Sequence, residues 1–360
     1  MLEPPRTLKA AVIGCGRIGV AKSERLLGKV HPTMLPVSHA ESILANDQLR
    51  LIAFCDIDRA KAAQAAALYH VPGIYTDMLD MLAAERPDLV SVATRTLERP
   101  GIVRELARRG VKGVYADKPF SRNLGECLAA MQAVEAAGAN LVLGTQRRYS
   151  GLYRRARELA WSGDWGRLVR VTIHLEKDHL LMWSTPHLVD LLLFLTGGRD
   201  VDYLQATCAI PDDAVHGSTI DCDPVVEEAT LRFDNDVQGS MLAGRQFAVN
   251  LVCEEAEILV REKSATIIVV RASGPGAPSG PIPTQEVVND VMSGTQRAFT
   301  ELAASILGRE KSPVSLAELM LHQRILLGLP YSSLREGRRI RLKEIPDDFT
   351  VTGRFRGLYA

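Results

Sequence analysis

Ala10-Ala11-Val12-Ile13-Gly14-Cys15-Gly16-Arg17-Ile18-Gly19 runs a short apolar strand straight into a Gly-x-Gly-x-x-Gly turn near the N-terminus. In that context each glycine has a physical task. Gly14 permits the tight turn, and Gly16 lets the backbone approach a pyrophosphate. Gly19 lets the following helix pack close to the strand, and the first N–H groups of that helix face the phosphates. An acidic residue closes the next apolar run, Leu51-Ile52-Ala53-Phe54-Cys55-Asp56. Together they point to dinucleotide binding rather than an ordinary strand-to-helix turn. Asp56 stands where a carboxylate accepts hydrogen bonds from the adenosine ribose hydroxyls and repels a 2′-phosphate, which favours NAD over NADP. Arg59 works the other way, because a nearby guanidinium is able to pair with such a phosphate.

Asp56 lies 37 positions after Gly19, against about 20 in the usual motif. The excess falls in 22–38, a segment with Pro32 and Pro36 and flanked by His31 and His39. It reads as an insertion at the start of the first helix. Its two readings, a disordered surface loop and a substrate-contacting flap, stay open.

A chain of 360 residues predicts two domains. Its 43 basic and 43 acidic residues balance, and no basic block suggests a nucleic acid or an anionic membrane as partner. No apolar run approaches the ~20 residues that span a bilayer, and Met1-Leu2-Glu3-Pro4-Pro5 lacks the apolar core of a signal peptide. The six cysteines (15, 55, 127, 208, 222, 253) show no Cys-x-x-Cys pair, and no His/Cys/Asp cluster has zinc-ligand spacing. The expectation is a reduced, cytoplasmic protein without a metal.

Strands and helices alternate up to about residue 145. Strand 9–13 leads into a helix, strand 50–55 into helix 58–69, and helix 76–85 precedes strand 88–93 and helix 98–109. Strand 111–116, helix 123–137 with Asn123 and Glu126 spaced as a capping box, and strand 140–144 follow. Such alternation predicts an α/β fold with a doubly wound parallel sheet of Rossmann type over 1–145. Beyond it, β runs at 167–177, 200–210, 225–234, 237–246, 248–254, 256–262 and 265–272 accompany one strongly apolar helix at 186–196. These predict a second, α+β domain over 146–360 with a large open, mostly antiparallel sheet. The segment 273–281 reads as a mobile loop, and helices at 289–307 and 314–327, late helices free to pack back on the first domain, complete the chain.

Asp117-Lys118-Pro119 follows strand 111–116, at the sheet edge where ligands bind in such folds. A lysine there can donate to a substrate hydroxyl, and a proline, in cis or trans, fixes the turn that aims it. A surface lysine in a turn is the alternative.

Gly14, Gly16, Gly19, Asp56 and Asp117-Lys118-Pro119, ahead of a mostly β second half, resemble the Gfo/Idh/MocA oxidoreductase family, which includes glucose–fructose oxidoreductase and inositol dehydrogenases. The resemblance implies that Lys118 is catalytic. The family's tripeptide is usually Glu-Lys-Pro, so Asp117 is a mild departure. His39-Ala40-Glu41 resembles the family's first helix, consistent with 22–38 being inserted. The family's Asp-x-x-x-His-x-x-Asp element is matched by Trp183-Ser184-Thr185-Pro186-His187-Leu188-Val189-Asp190, with Trp183 in place of the leading aspartate. His187 and Asp190 are thereby implied as catalytic. Thr185 or Ser184 is expected to cap this helix and Pro186 to occupy its first turn. His187 then sits at the positive end of the helix dipole, which disfavours the imidazolium and suits a general base, with Asp190 one turn on to orient it.

The resemblance implies a cofactor set of Gly14, Gly16, Arg17, Ile18, Gly19, Asp56, Thr94, Asp117 and Lys118. Its substrate set is Arg95, Arg147, Tyr149, Trp183 and His187. Of Arg147 and Arg148, one is expected to meet substrate and the other solvent. Arg95 stands where the family more often has proline, and a cation there suits an acidic substrate. Trp183 cannot act as an acid, but an indole stacks on a sugar ring. His174, Lys177 and His179 fall on or after a strand, with His174 and Glu176 on one face. Trp161 and Trp165 read as packing residues at a turn. The expected activity is NAD-dependent oxidation of a secondary alcohol of a sugar, cyclitol or sugar acid by a homodimer or homotetramer. The alternatives are redox-neutral chemistry with retained NAD, of glycosidase or epimerase type, and a non-catalytic NAD-binding regulator.

Overall fold

The computed structural model describes residues 7–27, 34–176, 179–271 and 283–353. Its helices are α1 Arg17–Val20, α2 His39–Leu44, α3 Arg59–Tyr69, α4 Met78–Glu85, α5 Arg99–Arg108, α6 Leu124–Ala136, α7 Gly151–Trp161, α8 Thr185–Thr196, α9 Gly294–Ile306 and α10 Leu316–Ser333. The chain forms two compact units. Among the described residues, those up to Gln146 with Met292–Met320 make the first; Arg147–Val291 and those from Leu321 to Gly353 make the second.

In the first unit, β1 Leu8–Ile13, β2 Leu49–Cys55, β3 Gly73–Tyr75, β4 Leu89–Val92, β5 Gly113–Ala116 and β6 Asn140–Leu143 form one sheet in the order β3-β2-β1-β4-β5-β6. Every neighbouring pair is parallel. Residues of β1, β4 and β5 on both faces are buried, which is why these strands read as unbroken apolar runs. Strand order reverses between β1 and β4, so a crevice opens at their carboxyl ends. The side chains of Asp58, Asp77 and Asn123 cap α3, α4 and α6; Asn123 Oδ1 accepts from the Glu126 N–H at 2.8 Å, where the sequence placed a cap. β3 is a three-residue edge strand that sequence periodicity does not show.

The first helix is split. α1 stops at Val20, and α2 begins at His39. Between them, Glu41 accepts from the Ser23 N–H at 2.8 Å and from its hydroxyl at 2.5 Å, and Tyr69 Oη donates to the Val20 carbonyl at 2.8 Å. Ser293 Oγ donates to the Pro36 carbonyl at 2.7 Å. The ends of the insertion are therefore tied to the unit by specific bonds. His31 and Pro32 lie outside the described residues, as do Lys177 and the segment 273–281.

The second unit is built on β7 Leu168–Leu175, β8 Val201–Ala209, β9 Val215–His216, β10 Thr219–Ile220, β11 Val225–Phe233, β12 Gln238–Ala243, β13 Ala248–Cys253, β14 Ala256–Arg261, β15 Thr266–Arg271, β16 Thr284–Val287 and β17 Thr350–Val351. Eight of them form an open sheet in the order β16-β15-β14-β13-β7-β12-β11-β8, antiparallel throughout except for β7 beside β12. β17, β10 and β9 make a small second sheet. On one face of the large sheet Val171, Ile173, Met241, Val249, Leu251, Ile258 and Val260 are buried, and α7 and α8 pack on this sheet. The register puts Thr172, His174, Leu242, Asn250 and Leu259 on the opposite face.

His39, the first residue of α2, lies at the centre of the first unit. Its Nδ1 hydrogen-bonds Ser91 Oγ at 2.6 Å, and its ring meets the Tyr115 edge at 4.9 Å, with Phe299 stacked on Tyr115 at 4.3 Å. Burial pushes the imidazole from 6.5 down to about 4; Asp117 opposes this shift and Arg99 adds to it. The folded protein refuses a proton that the unfolded chain accepts below pH 6.5. Stability is therefore full above that pH, falls as the pH drops, and levels off below about 4. The fall is about 3 kcal/mol. His39→Gln, which keeps a partner for Ser91, should remove it in urea unfolding across this window. A variant as acid-sensitive as the parent would assign the slope to another group.

Candidate active site

The glycine turn at the end of β1 is held by close packing. Gly14 has φ +95°, and a Cβ there would lie 2.7 Å from the Ala93 carbonyl carbon, just beyond β4. A Cβ on Gly19 would overlap the Gly14 carbonyl oxygen. Around Gly16 nothing lies within 4 Å of that position, so the turn has open space where phosphates would approach. Arg17 beside it is exposed and Ile18 half-buried.

Asp56, at the end of β2, is fixed by backbone donors: the Cys15 N–H reaches Oδ2 at 2.7 Å and the Asp58 N–H reaches Oδ1 at 2.9 Å. The carboxylate is thereby pinned to the glycine turn itself, half-buried, with lone pairs left to accept from ribose hydroxyls. A turn in the required conformation, room at Gly16 and an anchored carboxylate fit a dinucleotide. Burial, reinforced by Asp56, pushes the Cys15 thiol up to about 12, so it stays protonated. All six cysteines are free.

At the end of β5 the Asp117 N–H donates to the Val92 carbonyl at 2.9 Å, and the Lys118–Pro119 peptide bond is cis. Sequence reasoning missed the residue that holds this turn. Arg99, at the start of α5, is 2 % exposed; it donates through Nη1 to the Pro119 carbonyl and through Nη2 to the Thr94 carbonyl. Nη2 also lies 3.9 Å from Asp117 Oδ2. An arginine at a helix start carries no sequence signal that it will turn inward. Thr94 is half-buried, and Arg95 beside it is exposed.

In the second unit neither arginine of the Gln146–Tyr149 turn faces solvent. Arg147 makes a two-pronged pair with Glu262 at 2.7 and 3.2 Å over the Phe247 ring, and Tyr153 Oη donates to the same carboxylate at 2.6 Å. Burial works against its charge, but Glu262 and Tyr153 together outweigh it and raise the guanidinium pKa. Arg148 pairs with Asp190 at 2.9 Å through both Nε and Nη2, with the two side chains only 4 % and 2 % exposed. Tyr149 is buried, with the Arg154 guanidinium 5.9 Å from its ring. Arg147 and Tyr149 are thus committed inside the unit.

α8 starts as expected at Thr185, with Pro186 in its first turn, but the expected cap is not made. The hydroxyls of Ser184 and Thr185 both donate backward to the Leu180 carbonyl, at 3.2 and 3.1 Å, and close the turn over 181–184 instead. His179 Nδ1 meets Ser184 Oγ at 3.2 Å. His187 is half-buried on the first turn of α8, and Trp183 just ahead of it is 38 % exposed. Asp190 lies one turn on, engaged with Arg148. The indole of Trp161 donates to the Leu195 carbonyl at 3.0 Å, although the side chain is 48 % exposed, and Arg271 lies over the Trp165 ring. Elsewhere in this unit a recess of about 370 Å³ is lined by His174, Gly244, Arg245, Gln246, Ala248 and Arg261. Glu176 accepts from Lys263 at 3.1 Å, which holds its carboxyl below the usual range. Among the described residues no group of His, Cys, Asp and Glu could hold a metal ion, and no helix is long and apolar enough to cross a membrane.

Residues 8–145 match the family described as an oxidoreductase family with an NAD-binding Rossmann fold. Inositol 2-dehydrogenase of Burkholderia multivorans is 28 % identical over 261 residues, which is 69 % of this chain and 71 % of the relative. D-apiose dehydrogenase of Paraburkholderia graminis is 26 % identical over 144 residues, 40 % of this chain and 34 % of that one. Among solved structures, an Agrobacterium radiobacter oxidoreductase in complex with NAD+, L-tartaric acid and magnesium superposes with a TM-score of 0.73 at 16 % identity. That superposition covers 94 % of this chain and 99 % of the other, and at such identity it is a likeness of fold. The nucleotide-binding residues 8–145 thus match the Gfo/Idh/MocA oxidoreductase family, and the alignment to a dehydrogenase runs beyond them, so the chain is similar to that family over its first unit and past it.

Proposed function

We propose that this protein is an NAD-dependent dehydrogenase that oxidises a secondary alcohol of a sugar, cyclitol or sugar acid, or reduces the matching ketone. The observation that carries the reading is the Asp117-Lys118-Pro119 turn, clamped by Arg99 at a strand end on the sheet edge that bears the glycine turn. Relatives that act on inositol and D-apiose support the substrate class, and the tartaric acid complex of a similar fold keeps hydroxy acids within it.

Gly14, Gly16, Arg17, Ile18 and Gly19 hold the pyrophosphate, Asp56 the adenosine ribose, and Thr94 and Asp117 the nicotinamide end. NAD supplies the hydride acceptor. Lys118 donates a hydrogen bond to the substrate oxygen and polarises it; His187 accepts the hydroxyl proton as general base. Asp190, paired with Arg148 inside the second unit, anchors the first turn of α8 and so positions His187. Arg95 and Trp183, both exposed, are the side chains we assign to substrate, one with a carboxylate and the other with a ring face. Arg147 and Tyr149 shape the second unit from within. One observation favours a second reading: the exposed indole of Trp183 replaces the family's aspartate, which fits redox-neutral chemistry with retained NAD. The open face of the large sheet, with Leu242 37 % exposed, is the surface we assign to a homodimer or homotetramer.

NADH absorbance with inositols, aldoses and sugar acids should rise with NAD, and more weakly with NADP. Lys118→Ala should lower kcat at least 100-fold while leaving NAD affinity within about twofold. Activity that survives this change removes Lys118 from the chemistry, and product formed without NADH favours the second reading. Asp190→Asn should destabilise the protein by about 3–5 kcal/mol in urea, because Arg148 is left charged and buried alone; Arg148→Met in that background should recover part of the loss. Additive losses would show that the two do not act as a pair. Leu242→Glu should shift the sedimentation coefficient toward a monomer, and an unchanged coefficient moves the interface elsewhere.

A further inference from the structure

We propose that Arg99 is the positioning residue of the Lys118 turn: one buried guanidinium holds the residues on either side of Lys118 and locks them to the Thr94–Arg95 loop. The inference rests on the reading above that Lys118 works at the substrate.

β4 ends at Val92 and β5 at Ala116. Beyond those residues the Asp117 N–H bond to Val92 is followed by no further ladder bond between the two segments, yet Thr94 and Lys118 must keep fixed places if they are to serve one reaction. Arg99 supplies the missing connection. Nη1 takes the Pro119 carbonyl and Nη2 the Thr94 carbonyl, while Nη2 stays within ion-pair distance of Asp117. Asp117 precedes Lys118 and Pro119 follows it, so both neighbours of the lysine are held by the same planar group. A planar fork of five N–H donors suits this task; a lysine ammonium would bridge two carbonyls without fixing their relative orientation.

The energetics point the same way. A guanidinium that is 2 % exposed has lost its water, and its Nε finds no acceptor in the protein. An apolar side chain of similar length would fill the space without that cost. Stability alone therefore does not account for an arginine here, whereas the geometry of two loops does. His39 and the Tyr115–Phe299 stack already supply the unit's packing around β4 and β5.

The test is Arg99→Met in the full chain, measured by hydrogen exchange, by amine labelling of Lys118 read in the mass spectrometer, and by kinetics with whichever alcohol the substrate panel yields. Peptides over 93–98 and 117–121 should exchange at least tenfold faster, and Lys118 should change its labelling rate, while the Gly14–Gly19 peptide exchanges as before. kcat should fall at least tenfold with KM for NAD unchanged. In Lys118→Ala, adding Arg99→Met should slow the enzyme no further, because the arginine acts only through the lysine. Arg99→Lys, which keeps the charge, should fall between parent and Arg99→Met, and it serves if the methionine variant does not fold. Unchanged exchange in both loops, a rise in KM in place of the fall in kcat, or additive losses in the double variant would overturn the proposal. The exchange and labelling outcomes decide it without a substrate. An active Lys118→Ala would instead overturn the dehydrogenase reading and leave the clamp to be judged by exchange alone.

Discussion

The first unit depends on how closely three segments approach at the carboxyl edge of its sheet. Gly14 lies against the backbone of Ala93, and Gly19 against the carbonyl of Gly14, at distances that leave no volume for a side-chain carbon. β1 is thereby pressed onto the end of β4, and α1 onto both. The same crowding brings the Cys15 N–H onto Asp56, so the carboxylate at the end of β2 is oriented by the turn it serves. Backbone geometry, rather than any one side chain, sets where a cofactor's phosphates and ribose are received. Side chains in this region then need only to finish what the glycines begin.

Where the backbone cannot connect two segments, buried arginines do so. Arg99 joins two strand ends, Arg147 joins the 146–149 turn to Glu262 after β14, and Arg148 joins that turn to α8. Arg147 and Arg148 are committed to acceptors far away in sequence, and Arg99 to one five residues back and one twenty ahead. A buried ion pair adds little net stability, since desolvation offsets most of the attraction, but removing one partner strands the other. Such pairs therefore fix one arrangement rather than strengthen the fold as a whole. Arg148 and Asp190 illustrate it: the pair holds α8 in one place, and α8 is the helix that carries His187.

The sequence discloses features whose cause is local. Glycine spacing, the apolar runs of a buried parallel sheet and the cap at Asn123 all act within a few residues, and all are found where the pattern puts them. Features that depend on distant partners stay hidden. α7 escapes detection because Arg154, Arg155, Arg157 and Glu158 crowd its exposed side, although Leu152, Tyr153, Ala156 and Ala160 are buried at helical spacing. β3, β9, β10 and β17 are two or three residues long, too short to alternate. Ser184 and Thr185 look like caps, yet the Leu180 carbonyl competes for both hydroxyls and wins. The partners of Arg99, Arg147 and Arg148 follow from chain topology, which composition and spacing do not encode.

The departures from the family pattern are distributed in a way that bears on chemistry. Most residues that hold backbone geometry match the pattern: the glycine turn, Lys118-Pro119, and Asp190, whose carboxylate is bound within the second unit; Asp117, beside Arg99, departs only by the shorter carboxylate. Arg95 and Trp183, the positions where the family more often has proline and aspartate, are both exposed. A change at an exposed side chain alters what can dock without moving the groups that react, whereas a change at a buried, hydrogen-bonded one would disturb those groups first. On the reading proposed above, a cation and an indole at these two positions bear on substrate selection rather than on hydride transfer.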